Sequence, residues 1–441
     1  MRRVVVTGLG AVSALGHSVD EFRSALAAGR SGIQPIEGFD VDQLRFKTGA
    51  QVRGFEADQI FDRKSRELLD RFSQLLIVAA REAVASSGIE WNDELRGRTA
   101  VVTGSCLGGQ STEEKAYWDL YHEGRPRIEP LTIPRAMANA GASQISMEMG
   151  ISGPCFTLST ACSSSAHAVG LAFWMVRQGM AEAAIAGGSE TPFTWANLKA
   201  WEALRVVAPE VCRPFSKDRQ GMVLGEAGAA LVLETLERAE SRGAPILAEV
   251  TGCGMSSDAH HITLPLADGA AKALAACLHD AGLRPEDVDY VNAHGTGTLA
   301  NDPMETRAIR QVFGDRAGRL AVSSTKSMHG HTLGAAGALE CVATVLALRD
   351  GLLPPTIGFN EADPECDLDV VPNEARRAEI RNALSNSFAF GGLNVVLAFR
   401  RWEGNLSGRG AQSNERDGLP DGNGGGPIGS GGVGADSSAT A

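Results

Sequence analysis

Two ten-residue stretches, 244 positions apart, set the tightest limit on what this chain can fold into. VVVTGLGAVS (4–13) and AEVTGCGMSS (248–257) each run from an apolar strand into Thr-Gly-x-Gly. A second pair, VVTGSCLGG (101–109) and VSSTKSMHG (322–330), echoes itself at a spacing of 221. The pattern predicts an internal duplication, and the 441 residues are enough for two fused halves. The unequal spacings require extra residues in the first half, between residues 30 and 100. In each half, buried apolar strands alternate with helical stretches, the pattern of an α/β fold. The strands are TAVVTGS, AEAAIAGGSE, AALVLETL, VDYVNAHG, LAVSSTK and NVVLAFRR. The expected organisation is an N-terminal half over 1–245, a C-terminal half over 246–403 and a tail over 404–441. The tail holds twelve glycines and almost no large apolar side chain. It cannot bury enough surface to offset its ordering entropy, so it reads as disordered.

Charge and cysteine usage exclude several classes of function. A net charge of −12 argues against nucleic acid, which needs a basic surface. The eight cysteines are scattered without a CxxC pair, so neither a disulfide framework nor a zinc site is expected. A reducing cytoplasm fits them best. The opening MRRVVVTGLGAVSALG reads as a buried strand and turn rather than a signal peptide, and no apolar run is long enough to span a bilayer or anchor the chain. GLGAVS (8–13) lacks the third glycine of a dinucleotide fingerprint and reads as a strand-ending turn.

Cysteines mostly fill core volume. Cys162 departs from that habit, because STACSSSAHAVG (159–170) surrounds it with tiny residues. The apolar run Ala168–Met180 predicts a helix with Cys162 at or near its N-terminus. Unpaired N–H groups there favour an anion and would lower the thiol pKa, as a nucleophile requires. VDYVNAHGTGTLANDPMET (288–306) ends a strand at His294 and continues into Gly-Thr-Gly-Thr. VSSTKSMHGHTLGAAGALE (322–340) gathers Lys326, His329 and His331 ahead of a small-residue helix near Glu340. LSNSFAFGGLNVVLAF (384–399) sets Phe388 and Phe390 before a Gly-Gly pair. The His329/His331 pair has no evident third metal ligand. A thiol, two imidazoles and an ammonium, with no sign of a cofactor, point to stabilisation of charge on an oxygen.

These four blocks resemble the signatures of β-ketoacyl-[acyl-carrier-protein] synthases of the elongating, synthase II type, over residues 2 to 400. KAWEALRVVAPEVCRPFSKDRQGMVLGE (199–226) and CDLDVVPNEARRAEIRNALSNSFAFGG (366–392) look most like the nodulation-protein-E branch. The resemblance implies a thiolase-like fold, a five-layer αβαβα sandwich, usually as a homodimer. It implies Cys162 as acyl-accepting nucleophile, His294 and His331 as catalytic histidines, and Lys326 as support through charge and hydrogen bonding. Glu340 matches a buried carboxylate near that lysine. Phe388 matches a gate whose N–H joins that of Cys162 in an oxyanion hole. Thr296 and Thr298 match threonines that hold a phosphopantetheine arm. The implied partner is acyl-carrier protein, with no cofactor beyond the arm it carries. FDRKSRELLDRF (61–72) offers Arg63, Lys64, Arg66 and Arg71 for docking that acidic partner, or as a solvated helix face. Ala389 and Leu393 depart from the family's usual glycine and polar residue, and Ala389 is expected to stiffen the gate. The alternatives are a non-catalytic chain-length-factor-type partner subunit, a thiolase or a chain-initiating synthase. The retained Cys162, Phe388–Gly392 where thiolases carry a second cysteine, and His331 in place of Asn speak against them in turn.

Overall fold

Ten strands account for the architecture of the computed structural model, which describes residues 1–404. They are β1 (Val4–Ser13), β2 (Thr99–Gly104), β3 (Cys155–Leu158), β4 (Ala183–Glu190), β5 (Ala227–Thr235), β6 (Ala248–Ser257), β7 (Tyr290–Asn292), β8 (Ala321–Ser323), β9 (Asn382–Ala389) and β10 (Leu393–Arg401). Their order in space is β8-β7-β9-β10-β6-β1-β5-β4-β2-β3. Read outward from the β6/β1 centre, each strand of one half meets its counterpart five strands on in the other. The pairing senses match as well. β1/β5 and β4/β5 are antiparallel while β4/β2 and β2/β3 are parallel. β6/β10 and β9/β10 are likewise antiparallel while β9/β7 and β7/β8 are parallel. The two halves join where β1 and β6 pair antiparallel through Val4–Val6.

The first sequence repeat therefore falls on equivalent strands, β1 and β6. The second does not: VVTGSCLGG runs out of β2, whose counterpart is β7, whereas VSSTKSMHG runs out of β8. Short apolar runs ending in Gly and Ser look alike without being equivalent in space. Extra residues do lie in the first half, between Ser13 and Thr99 against the shorter Ser257–Tyr290 connection, although the 221 spacing that suggested them joins strands that are not equivalent.

Six helices complete the layers: α1 (Arg71–Ser87), α2 (Ala140–Met149), α3 (Ser164–Arg177), α4 (Ala267–Ala281), α5 (Asn301–Phe313) and α6 (Ala336–Asp350). α1 packs on β1, β5 and β4, and α2 on β2 and β3, forming one outer layer. α4 packs on β6 and β10, with α5 against it, forming the other. α3 and α6 fill the middle, each touching strands of both halves. Residues 336–348 of α6 are all buried, as an interior helix that is apolar all round must be. This is the αβαβα arrangement expected, and Met1–Trp402 form one compact unit. α3 and α6 approach so closely that a Cβ on Gly337 would lie 2.5 Å from the Ala166 side chain and 2.6 Å from its backbone N. The small residues after Cys162 are thus a packing requirement as well as a chemical one. The disorder expected of the tail concerns residues 405–441, which lie outside the described residues.

Candidate active site

β3, β7 and β8 carry their C-terminal ends to one place, where ligands bind in open α/β sheets. Leaving β3, the chain turns sharply through Ala161, whose φ of 50° is a left-handed value that costs a residue with a Cβ about 1–2 kcal/mol. The serines hold that turn. Ser164 Oγ accepts from the Thr160 N–H (2.9 Å) and donates to the Ala161 carbonyl (2.6 Å). Ser163 Oγ donates to the Leu393 carbonyl (3.0 Å), and Ser165 Oγ accepts from the Ala338 N–H (2.9 Å). Helix α3 begins at Ser164, four residues earlier than the apolar run predicted, and ends at Arg177. Cys162 sits two residues ahead of it and is 7% exposed.

His294 follows β7. The carboxylate of Glu305, one face along α5, accepts from the His294 and Gly295 N–H groups (2.8 and 2.7 Å) and from Asn386 Nδ2 (3.1 Å). Asp302, one turn earlier, accepts from the Phe215 and Gly297 N–H groups (2.7 and 3.2 Å). Burial pushes the Asp302 carboxyl up to about 6. His331 follows β8. Its backbone bridges Leu224, and its N–H donates to the Val223 carbonyl (2.6 Å). The Leu333 N–H donates to His331 Nδ1 (3.2 Å), so a neutral ring carries its proton on Nε2. The two imidazoles meet edge to face, 5.4 Å apart at 85°.

Cys162, His294 and His331 line one cavity of about 310 Å³, together with Thr296, Thr298 and Phe390. The two threonine hydroxyls bond each other at 2.9 Å. Lys326 and Glu340 lie behind the wall, fully buried, their ammonium and carboxylate paired directly. Burial holds His294 and His331 well below the usual imidazole range, and the Lys326 charge pushes them the same way. Both are therefore neutral at physiological pH. Burial raises Glu340 to about 7, against the pull of Lys326. His329 stands apart. Its Nδ1 and Nε2 are taken up by the Gly330 carbonyl (2.8 Å) and Thr325 Oγ1 (2.9 Å), and burial lowers it to about 3.

Three expectations need correction. The helix N-terminus does not lower the Cys162 thiol. Burial pushes it up to about 12, while Lys326 and nearby backbone N–H groups pull only part of the way back. Besides its own, the backbone N–H that favours the Cys162 thiolate is that of Phe390, not Phe388. Phe388 lies within β9 opposite Asn394, its ring packed 6.1 Å from His294. Arg71 is not free for docking. It turns inward to Glu226, whose side chain is 3% exposed, with Nε and Nη2 on the two carboxylate oxygens (2.9 and 2.8 Å). Arg63 and Lys64 are exposed, Arg63 bonding Glu67, and Arg66 pairs with Asp58. Missed altogether were the buried carboxylates that hold the loops. Besides Glu305 and Asp302, Glu190 accepts from the Cys106 and Leu107 N–H groups (2.6 and 3.1 Å).

The chain matches the model of the β-ketoacyl synthase N-terminal domain over residues 1–239 and that of the C-terminal domain over 247–360. The chain belongs to the β-ketoacyl synthase family. It is 48% identical to nodulation protein E of Rhizobium meliloti strain 1021 over 400 residues, covering 91% of this chain and 99% of that protein. It is 46% identical to 3-oxoacyl-[acyl-carrier-protein] synthase 2 of Coxiella burnetii over 408 residues, with the same coverage of both. Among solved structures, the ishigamide ketosynthase/chain length factor superimposes with a TM-score of 0.87 at 38% identity, covering 91% of this chain and all of the other. The synthase is an acyl-transferring condensing enzyme with the thiolase-like fold.

Removing one member of a buried ion pair strands the other, typically at about 3–5 kcal/mol, whereas an apolar pair of similar volume is tolerated. Lys326→Ala is expected to lose about that much stability in chemical denaturation. Lys326→Met with Glu340→Leu is expected to recover the stability without recovering condensation. Recovery of both would show the pair to be structural alone.

Proposed function

We propose that Cys162 carries the acyl group and that His294 and His331 stabilise the enolate which extends it. The observation that carries this is the convergence of the thiol and two neutral imidazoles on one cavity, with the Lys326 charge behind them. In the first step the Cys162 sulfur attacks the thioester carbonyl of an acyl-carrier protein. The tetrahedral oxyanion is held by the N–H groups of Cys162 and Phe390, a type of donor worth about 3 kcal/mol each. The carbon–sulfur bond to the phosphopantetheine breaks, and the proton lost by Cys162 ends on the departing thiol. Malonyl-carrier protein then binds along Thr296 and Thr298. Its carboxylate leaves as carbon dioxide, and the electron pair of the broken carbon–carbon bond forms the enolate. Each neutral imidazole offers one N–H to the enolate oxygen, which an imidazolium would instead protonate. The enolate carbon attacks the acyl-Cys162 carbonyl and expels the sulfur as a thiolate, which takes a proton from solvent to restore the thiol, giving a 3-oxoacyl chain two carbons longer. This order is ping-pong, as a covalent intermediate requires.

The same reading takes residues 1–245 and 246–403 as the two halves. The strand order and the break between family models at 239 and 247 support it. It needs no cofactor beyond the carrier's arm and no metal, and it takes neither nucleic acid nor a membrane anchor as partner. Among the described residues no helix is long and apolar enough to cross a membrane, and we place the enzyme in the cytoplasm. Exposed Tyr117, Tyr121, Ile133 and Met147, all between β2 and the edge strand β3, favour a homodimer. The nodulation-protein relative favours a specialised acyl chain over bulk fatty acid. The thiol and both imidazoles in one cavity favour catalysis over a chain-length-factor role.

Incubation with carrier proteins bearing chains from butyryl to palmitoyl, without malonyl donor, is expected to give an acyl adduct at Cys162 by intact mass, absent in Cys162→Ala. No adduct with any chain would overturn the catalytic reading. For docking, Lys64→Glu with Arg66→Glu is expected to lower kcat/KM at low salt and flatten its salt dependence, with kcat unchanged. Unchanged carrier affinity would remove this face from the interface.

A further inference from the structure

Phe390 leads into a glycine turn whose backbone is tied by the Gly391 N–H to the Ile262 carbonyl (2.7 Å), the Gly392 N–H to the Ala389 carbonyl (2.9 Å) and the Asp258 N–H to the Gly392 carbonyl (2.9 Å). Gly391 and Gly392 follow with φ of 82° and 68°, and a Cβ on Gly391 would meet only the Leu393 side chain, at 3.8 Å or more. Gly392 is packed against Asp258, where a Cβ would lie 2.4 Å away, so the backbone is held while these contacts leave the plane of the Phe390 ring unset. What the ring meets is Trp201, stacked on it with centroids 6.3 Å apart and planes at 25°. Both rings line the cavity that Cys162 lines.

Trp201 sits on a held element. Its helix, Trp195–Leu204, has Leu198 fully buried. Glu114 accepts from the Trp195 and Ala196 N–H groups at its start (2.8 and 2.7 Å). Lys199 Nζ donates to the Gln43 carbonyl (2.6 Å) and Glu202 Oε2 (2.9 Å), while Glu202 Oε1 accepts from the Arg45 N–H (2.6 Å). One ring is thus fixed on a braced helix and the other rides on a glycine turn.

We propose that Trp201 is a positioning residue for acyl transfer: its ring holds the Phe390 ring, and through it the Phe390 N–H, against the Cys162 sulfur. The inference rests on the reading that this N–H serves the oxyanion of the transfer step. Aromatic pairs of this geometry contribute beyond their buried area, and a donor must lie within a few tenths of an ångström of its place to act. An aliphatic side chain can fill the volume of Trp201 without fixing a ring plane, so the stacking separates from the packing by substitution.

The test is single-turnover acylation of the full-length enzyme by the acyl-carrier protein that loads it best, followed by quenched mass. Trp201→Leu is expected to slow acylation at saturating carrier by about tenfold or more, a part of the 10²–10³ that loss of a whole donor costs. Half-saturation is expected to change by less than about twofold, since the donor acts at the reacting carbonyl and not on the carrier. Trp201→Phe, which keeps a stacking face, is expected to stay within about threefold of the native rate. The pH profile of Cys162 alkylation by iodoacetamide is expected to shift upward in Trp201→Leu and not in Trp201→Phe, because the N–H favours the thiolate. A native rate in Trp201→Leu, or equal slowing in both variants, would overturn the proposal. If the native enzyme forms no acyl adduct at all, the fault lies instead with the acyl-enzyme reading.

Discussion

The site depends on one buried ion pair. Lys326 leaves the end of β8 and Glu340 rises from α6, the helix shared by both halves, and neither reaches solvent. Two charges in a dry interior are costly, and an arrangement that keeps them uses their field. The ammonium opposes the burial penalty at the Cys162 thiol and adds to the burial penalty on His294 and His331. One cation thus favours the anion where a nucleophile is needed and disfavours the cation where N–H donors are needed. The opposed effects follow from the charges of the groups alone.

That arrangement requires three strand ends to meet with little tolerance. The backbone turn at Ala161 is held in an unfavourable conformation by serine hydroxyls that each have a partner in the same turn, in α6 or in β10. His294 is placed by Glu305 and His331 by the 223–225 segment. Both supports act on backbone groups, and the Leu333 N–H on His331 Nδ1 leaves Nε2 for the cavity. The duplication explains why such supports are at hand. The two halves supply the nucleophile and the donors separately.

Cys162, His294, Lys326 and His331 were legible because each stands at a strand end among glycines and small residues, a local pattern. Glu305, Asp302 and Glu190 were not, because their roles are hydrogen bonds to backbone from elsewhere in the fold. A carboxylate on a helix looks the same in sequence whether it meets solvent or a loop. Phe388 and Phe390 differ by two residues on one strand end, and only the turn decides which N–H faces the sulfur. The thiol's raised pKa was hidden for a similar reason. The helix terminus is local and visible, but the burial that outweighs it comes from the whole fold. The first repeat was real because it lay on the central strands, whereas the second matched strand endings that the sheet places apart.

The account stands or falls on the protonation of the two imidazoles. Nitrogen-15 NMR of the labelled enzyme, titrated from pH 8 towards 5.5, reads each ring directly once His294→Ala and His331→Ala assign the signals. Both rings should remain neutral across the range, with the His331 proton on Nε2 throughout. A ring that charges near its ordinary pKa of about 6.5, or a His331 proton found on Nδ1, would contradict the claim that Lys326 and burial hold both histidines as neutral donors.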